Sequence, residues 1–336
     1  MGKKVSGIIK YLLSAALAVV LLCFSFRDVE WGEFMEGVKA CRWEFIILSM
    51  AAGSFAFWLR ALRWRKLLLP IDDSISHLTA FNGVNIGNIS NFVFPRIGEF
   101  VRCGVITRRS VPADPSQPEH KKASYDKVLG TVVLERSWEL VVMLLLLAVV
   151  VVGGFSRFGG FFVEQIWTPM AGRLDFSVWW VAAAAVAACA SAAWVVWRFR
   201  KTNPLCSRIW AILTGMLQGF ASCAKMDRKW MFFAYTALIW LTYWLMAAST
   251  MWAAPFLEDL NLIDALFLSL VGGLGFAVPV PGGIGAFHFI ISLALAGIYG
   301  VPTEMGIIYA TLSHTSQAIT QIIFGLGSYS YESLKK

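Results

Sequence analysis

The sequence predicts an all-α polytopic membrane protein, with about six full spans and two helical hairpins broken by proline and glycine. Three observations carry this expectation. Hydrophobic residues make up 58% of the 336 and charged residues only 15%, whereas a soluble domain holds about 25% charged residues. Six apolar runs approach the roughly 20 residues that a helix needs to cross a hydrocarbon core. Two further apolar segments are interrupted near their middles, and a break frees backbone polar groups that lipid cannot satisfy, so such segments line protein or water.

The first run, about 6–26 in MGKKVSGIIKYLLSAALAVVLLCFSF, has the charge and apolar centre of a secretory leader. It lacks a small-x-small cleavage site and is long, so it is expected to remain as the first helix. The second run, about 43–62, ends in Arg60, Arg63, Arg65 and Lys66. A broken segment at about 78–108 follows, with Pro95 at the break. Its second leg, about 97–107, is short for a crossing, and a re-entrant hairpin is expected. Residues 110–126, SVPADPSQPEHKKASYD, have no apolar period and read as a polar loop. Runs at about 128–152, 176–197 and 230–252 come next. The second broken segment, about 262–300, is interrupted by VPVPGGIG at 278–285 and can be re-entrant or a pair of crossings; the last run covers about 305–328.

Basic residues beside these runs set the expected orientation. Lys3, Lys4 and Lys10 hold the N-terminus in the cytoplasm, and Arg108, Arg109, Lys121, Lys122 and Lys127 place the first broken segment on the same side. Arg198, Arg200, Lys201, Arg208, Lys225, Arg228 and Lys229 mark another inner loop, and Lys335 and Lys336 return the C-terminus inside. The second hairpin then opens on the outer face of the inner membrane. Each half reads span, span, broken hairpin, span, in opposite orientation. PRIGEF (95–100) and PGGIGAF (281–287) share P, IG and F. A single membrane domain with inverted repeats at 1–155 and 174–330 is therefore expected, as in many secondary transporters.

The formal charge of +8 sits in these loop clusters and does not point to nucleic acid. Six scattered cysteines form no CxxC or metal-ligand spacing and read as packing residues. Nucleotide-binding, zinc-protease and nucleophile-elbow motifs are absent from the sequence. No cofactor, metal or catalytic residue is expected, and the protein is not expected to be an enzyme.

Ionisable residues at membrane depth are costly and are normally paired or turned to a polar cavity. Arg96, Glu99 and Arg102 follow Pro95 at three-residue intervals, where Glu99 can bridge both arginines or leave one guanidinium for a phosphate. Glu135 and Glu139 lie four apart on one face with Arg136 turned away, and Arg96 or Arg102 is the expected partner of Glu135. Arg60 and Arg63 are read mainly as residues reaching to the inner headgroups, and Arg96 ranks above Arg60 as the functional cation. Asn82, Asn85, Asn88 and Asn91 suggest a polar seam along the first hairpin. Gly282, Gly283 and Gly285 permit close backbone approach, and His288, His314 and Gln317 are polar groups inside apolar helices.

RALRW, NFVFPRIGEFVR, LERSWEL and VPVPGGIGAFH, in that order, resemble the lysylphosphatidylglycerol synthase transmembrane-region family of flippase-like integral membrane proteins. The resemblance covers nearly the whole chain. In the best-known members this module moves aminoacylated phosphatidylglycerol between leaflets and precedes a soluble aminoacyl-transferase domain. The present sequence shows no such domain after its last span, so lipid aminoacylation does not follow from the resemblance. Carried over by motif, the resemblance marks Pro95, Arg96, Gly98, Glu99, Arg102, Glu135, Arg136, Pro281, Gly282, Gly283 and Gly285.

The expected function is translocation of an anionic phospholipid or polyprenyl-phosphate headgroup through a polar cavity between the hairpins. Its substrate-binding candidates are Arg96, Glu99, Arg102, Glu135, Arg136, Arg60, Arg63, Asn88, Gly282, Gly283 and His288. Membrane lipids are the expected partners, with a separate synthase or a second copy also open. An intramembrane lipid enzyme using Glu135, Glu99 or His288 as acid or base, and a membrane subunit of a separate synthase or glycosyltransferase, are the alternatives.

Overall fold

The computed structural model describes residues 2–27, 29–110, 123–154, 194–222 and 226–335, with isolated positions between 155 and 193, and the described elements are all helical. In chain order they are α1 (Gly2–Ser25), α2 (Trp31–Ala40), α3 (Trp43–Leu68), α4 (His77–Val93), α5 (Gly98–Arg109), α6 (Tyr125–Gly153), α7 (Pro204–Ser222), α8 (Lys229–Ala253), α9 (Leu262–Ala277), α10 (Ala286–Tyr299) and α11 (Thr303–Leu334). Short 3-10 turns lie at Pro255–Leu257 and Pro281–Gly283, and residues 194–199 are also helical.

Among the described residues, four segments are long and apolar enough to cross a membrane: α3, α6, α8 and Pro281–Tyr299. Their outward faces are greasy. On α6, Leu145, Val149 and Val152 are 60%, 68% and 76% exposed, a surface that is stable only against lipid or another apolar partner. Shorter apolar helices cover Leu12–Ser25 and Leu262–Ala277. The chain is thus a multi-pass, all-helical membrane protein.

Local chemistry explains the boundaries. Ser76 caps α4 by accepting from the Thr79 amide, and Asn261 and Asp264 form a reciprocal capping box at α9, each satisfying amides that the first helical turn leaves open. Pro95 and Pro281 interrupt the two broken segments. At 12 residues α5 is about 18 Å long, short of the ~30 Å hydrocarbon core.

Several elements differ from expectation. Residues 31–40, which fall between the first two expected runs, form α2, and its Phe34 joins Leu295, Ile307 and Ile308 in one apolar cluster. α7 forms inside the stretch read as a basic loop and packs along α6. α11 is a 32-residue helix that is not among the four most apolar, and Ser313, His314, Gln317 and Gln321 are among the polar residues along it. The expected span at 176–197 and the loop 111–122 lie largely outside the described residues.

Packing brings the hairpins together. α3 lies along α8, the α4–α5 hairpin packs on α3 and α11, and α9 packs on α6, α8 and α10. One apolar cluster joins α3, α4, α5, α6 and α8 around Trp64, Ile106 and Phe232. Another joins α2, α8, α9, α10 and α11 around Ile291, Ile308 and Tyr309.

Candidate functional site

The two breaks share a backbone device. Pro95 is followed by Arg96 at φ +64°, and Pro281 by Gly282 at φ +59°. The left-handed conformation costs a residue with a Cβ about 1 kcal/mol; Gly282 adopts it freely and Arg96 does not. Arg96 extends across to the other hairpin, where its Nη2 donates to the Ala277 carbonyl, 2.7 Å away at the end of α9. In return, a Cβ built on Gly282 would stand 2.6 Å from the Phe92 ring, so the breaks abut. The legs of the first hairpin also touch closely. A Cβ on Gly98 would lie 2.0 Å from the Gly87 carbonyl oxygen, and the Gly98 amide donates to Asn91 Oδ1 at 2.7 Å.

Between the hairpins lies a cavity of about 660 Å³. α3 contributes Arg60, α4 contributes Asn88 and Asn91, and the first break and α5 contribute Arg96 and Glu99. α6 presents Arg136, Ser137 and Glu139, α8 presents Tyr243, and α11 presents Ser313, Gln317 and Gln321. The second hairpin supplies Gly282 and Gly283 together with an apolar wall that includes Phe276 and Phe287.

Behind and along one wall runs an ion-pair network. Glu135, fully buried, pairs with Arg63 at 3.1 Å and with Arg102 at 2.8 Å. Glu139 pairs with Arg63 in a very short contact and with Arg136 at 2.7 Å. Arg136 also reaches Glu99 at 3.2 Å. Aromatic faces support two of the cations: Arg102 lies 4.7 Å from the Trp64 ring centroid and Arg63 lies 5.7 Å from that of Phe232. Trp64 is itself fixed by its indole N–H, which donates to Thr131 at 3.1 Å. Packed, paired and stacked, Arg63, Arg102 and Glu135 tie α3, α5 and α6 together.

Arg60 differs from its neighbours. It is 8% exposed and faces the cavity, and among the described residues no carboxylate lies within salt-bridge distance. Its Nη1 donates to Asn88 Oδ1 at 3.3 Å, while Arg60 Nε and Asn88 Nδ2 remain buried without a partner.

Seven sequence candidates therefore line one cavity: Arg60, Asn88, Arg96, Glu99, Arg136, Gly282 and Gly283. Arg63, Arg102 and Glu135 stand behind its wall. His288 is buried away from it, with its ring 5.1 Å from that of His314, which contacts the Gly282 carbonyl at 2.9 Å. Three expectations need correction. Arg60 and Arg63 do not reach outward, because Asn88 and the α6 glutamates hold them inside. Glu99 does not bridge Arg96 and Arg102; it pairs with Arg136, since Arg96 precedes α5 and Arg102 turns to Glu135. The four asparagines do not share one side. A three-residue step rotates about −60° around a helix, so Asn82 meets Glu332, Asn88 meets Arg60 and Asn91 meets Gly98.

Sequence reading missed Ser137, Tyr243, Ser313 and Gln321. Ser313, Gln317 and Gln321 are spaced by four, which puts them on one helical face, although His314, Thr315, Ser316 and Thr320 between them blur that signal.

The family model described as "Lysylphosphatidylglycerol synthase TM region" matches residues 8–325. No curated protein and no solved structure matches the chain. The match runs through α3, both hairpins, α6 and α11, the elements that build the cavity. The chain belongs to the lysylphosphatidylglycerol synthase transmembrane-region family.

Proposed function

We propose that the protein moves an anionic lipid headgroup, of a phospholipid or a polyprenyl phosphate, between the leaflets of the inner membrane. One observation carries this reading: Arg60, Arg96, Arg136, Glu99 and Glu139 line the cavity between the two hairpins, with Arg63, Arg102 and Glu135 directly behind its wall. Arg60 and Arg96 line the cavity with no carboxylate within salt-bridge distance among the described residues, and Arg60 is the buried one of the two. A buried unpaired cation is costly, and a phosphate entering the cavity supplies the missing charge while the lipid tails stay in the bilayer.

Features of the fold favour an inverted repeat behind this activity, with the first hairpin re-entrant from the cytoplasmic side. The Pro-then-left-handed turn recurs at both breaks. Packing is also reciprocal: α4 of the first hairpin contacts α11, the last helix of the second half, and α9 of the second hairpin contacts α6, the last helix of the first half. Two broken hairpins meeting at a central polar site suit alternating access. Basic loop residues orient both termini to the cytoplasm.

Transport fits the site better than catalysis. Both carboxylates at the cavity wall, Glu99 and Glu139, are engaged by Arg136, which disfavours either as a general base. Purified protein in vesicles should accelerate leaflet exchange of fluorescent anionic phospholipids or a polyprenyl phosphate over protein-free vesicles. Absence of acceleration for every anionic lipid tried would count against transport. A new or missing headgroup species in cellular lipid mass spectra, lost in Glu135→Gln, would favour an enzyme.

A further inference from the structure

We infer that Arg60 and Asn88 form the headgroup phosphate site, and that the lipid they select carries no positive charge elsewhere in its headgroup. This deepens the proposed transport function and rests on it for the ligand's identity as a lipid.

The hydrogen-bond logic of the pair allows few alternatives. A guanidinium can only donate, so the Asn88 atom facing Arg60 Nη1 at 3.3 Å must be the amide oxygen. The Asn88 NH2 group therefore points elsewhere, buried and without an acceptor. Arg60 Nε is likewise buried and without an acceptor. Each side chain is 8% exposed, and both line the cavity. The site thus presents unsatisfied donors from two helices and no unsatisfied acceptor of its own. Its complement is a group with several lone pairs and a negative charge, which describes a phosphate oxygen cluster.

Other arginines at the cavity are already engaged. Arg96 is committed to the Ala277 carbonyl, and Arg136 to Glu99 and Glu139. Arg63 and Arg102 are ion-paired with Glu135 behind the wall, and their own unpartnered N–H groups do not line the cavity. Selection against an ammonium follows from the same census. Glu139 is engaged by two arginines, and Glu99 has one oxygen, Oε2, left without a partner. That oxygen belongs to a carboxylate whose charge Arg136 already balances. An ammonium docked there adds to a positive excess instead of relieving one. By contrast, the amides and hydroxyls of Gln317, Gln321, Ser137 and Ser313 on the lining suit hydroxyl groups of an uncharged headgroup.

Binding to detergent-purified full-length protein separates this inference from transport. The probes are dihexanoyl phosphatidylglycerol, dihexanoyl phosphatidylethanolamine and inorganic phosphate. Phosphatidylglycerol should bind at least about tenfold more tightly than phosphatidylethanolamine, whose phosphate is the same but whose ammonium adds to the positive excess, and more tightly than inorganic phosphate. Arg60→Gln should weaken phosphatidylglycerol binding by about tenfold or more. Asn88→Asp places a carboxylate against Arg60. It should abolish binding while leaving the melting temperature equal to or above that of the unaltered protein, a combination that a misfolded variant cannot give. Equal affinity for the two lipids overturns the selectivity, and equal affinity for inorganic phosphate overturns a lipid as the source of the anion. Unchanged binding in Asn88→Asp, or no phosphatidylglycerol binding at all, overturns the site. Selective, Arg60-dependent binding by a protein that exchanges no lipid between leaflets supports the site and defeats transport alone.

Discussion

Arg96 and Gly282 hold the same place at the two hairpin breaks, each after a proline and each left-handed, at φ +64° and +59°. One residue is strained there and the other is not. Arg96 keeps its conformation because its guanidinium, fastened to the Ala277 carbonyl, joins the two hairpins. Arg96→Ala loses the hydrogen bond and keeps the strain, whereas Arg96→Gly loses the bond and relieves it. Thermal unfolding should find Arg96→Gly more stable than Arg96→Ala by about 1 kcal/mol. Equal stabilities would mean that Arg96 is not held left-handed in the folded protein.

Glu135 is the anchor for two buried arginines, Arg63 and Arg102. Removing the acid strands both cations, and breaking a buried pair from one side costs about 3–5 kcal/mol. Glu135→Ala should therefore lower the unfolding temperature sharply and reduce folded yield. Glu135→Gln, which keeps the hydrogen-bond acceptor, should fall between it and the unaltered protein. A Glu135→Ala protein as stable as its parent contradicts the network.

Gly98 sits where the legs of the first hairpin cross, with the Gly87 carbonyl oxygen 2.0 Å from where its Cβ would be. Backbone cannot yield as a side-chain tip can, so Gly98→Ala should force the legs apart and destabilise by about 1–3 kcal/mol. Gly104, on the same helix, has nothing within 4 Å of a built Cβ. Gly104→Ala should be neutral or stabilise by up to about 1 kcal/mol. Equal effects in a thermal unfolding series would remove the close crossing from the account.

At the far end of α11, Glu332 accepts from Arg109 Nε at 2.6 Å and from Asn82 at 2.7 Å, closing α5 and α4 against the last helix. Glu332→Ala should loosen that end. Hydrogen exchange should rise in the last turns of α11 and of α5, with little change around Glu135. A uniform response, or none, speaks against a local clasp.

Much of this architecture is legible in the sequence because membrane insertion imposes a coarse rule: long apolar runs become helices, and Pro95 and Pro281 break them. Charged residues inside such runs, Glu135 above all, had to be paired, and the partner Arg102 was among those expected. Other features depend on tertiary contact. Residues 31–40 have too little apolar length to announce α2, whose Phe34 joins an apolar cluster with Leu295, Ile307 and Ile308. Arg60 and Arg63 are three residues apart near one helix end, and periodicity does not say that one faces carboxylates while the other faces an amide and open space. The asparagines repeat every third residue, which suggests a stripe, yet the helix rotates successive members onto different neighbours. The sequence ranks Arg96 above Arg60; the proposed phosphate site instead uses Arg60, because the arginine nearest the proline is already hydrogen-bonded across the breaks.

The most direct measurement is the leaflet-exchange rate of fluorescent phosphatidylglycerol in vesicles carrying matched amounts of unaltered protein or Arg60→Gln. The account predicts exchange well above protein-free vesicles for the unaltered protein. It also predicts a fall of about tenfold or more for Arg60→Gln, with both proteins folded by thermal unfolding. Accelerated exchange that is identical in the two proteins would contradict passage of the headgroup over Arg60.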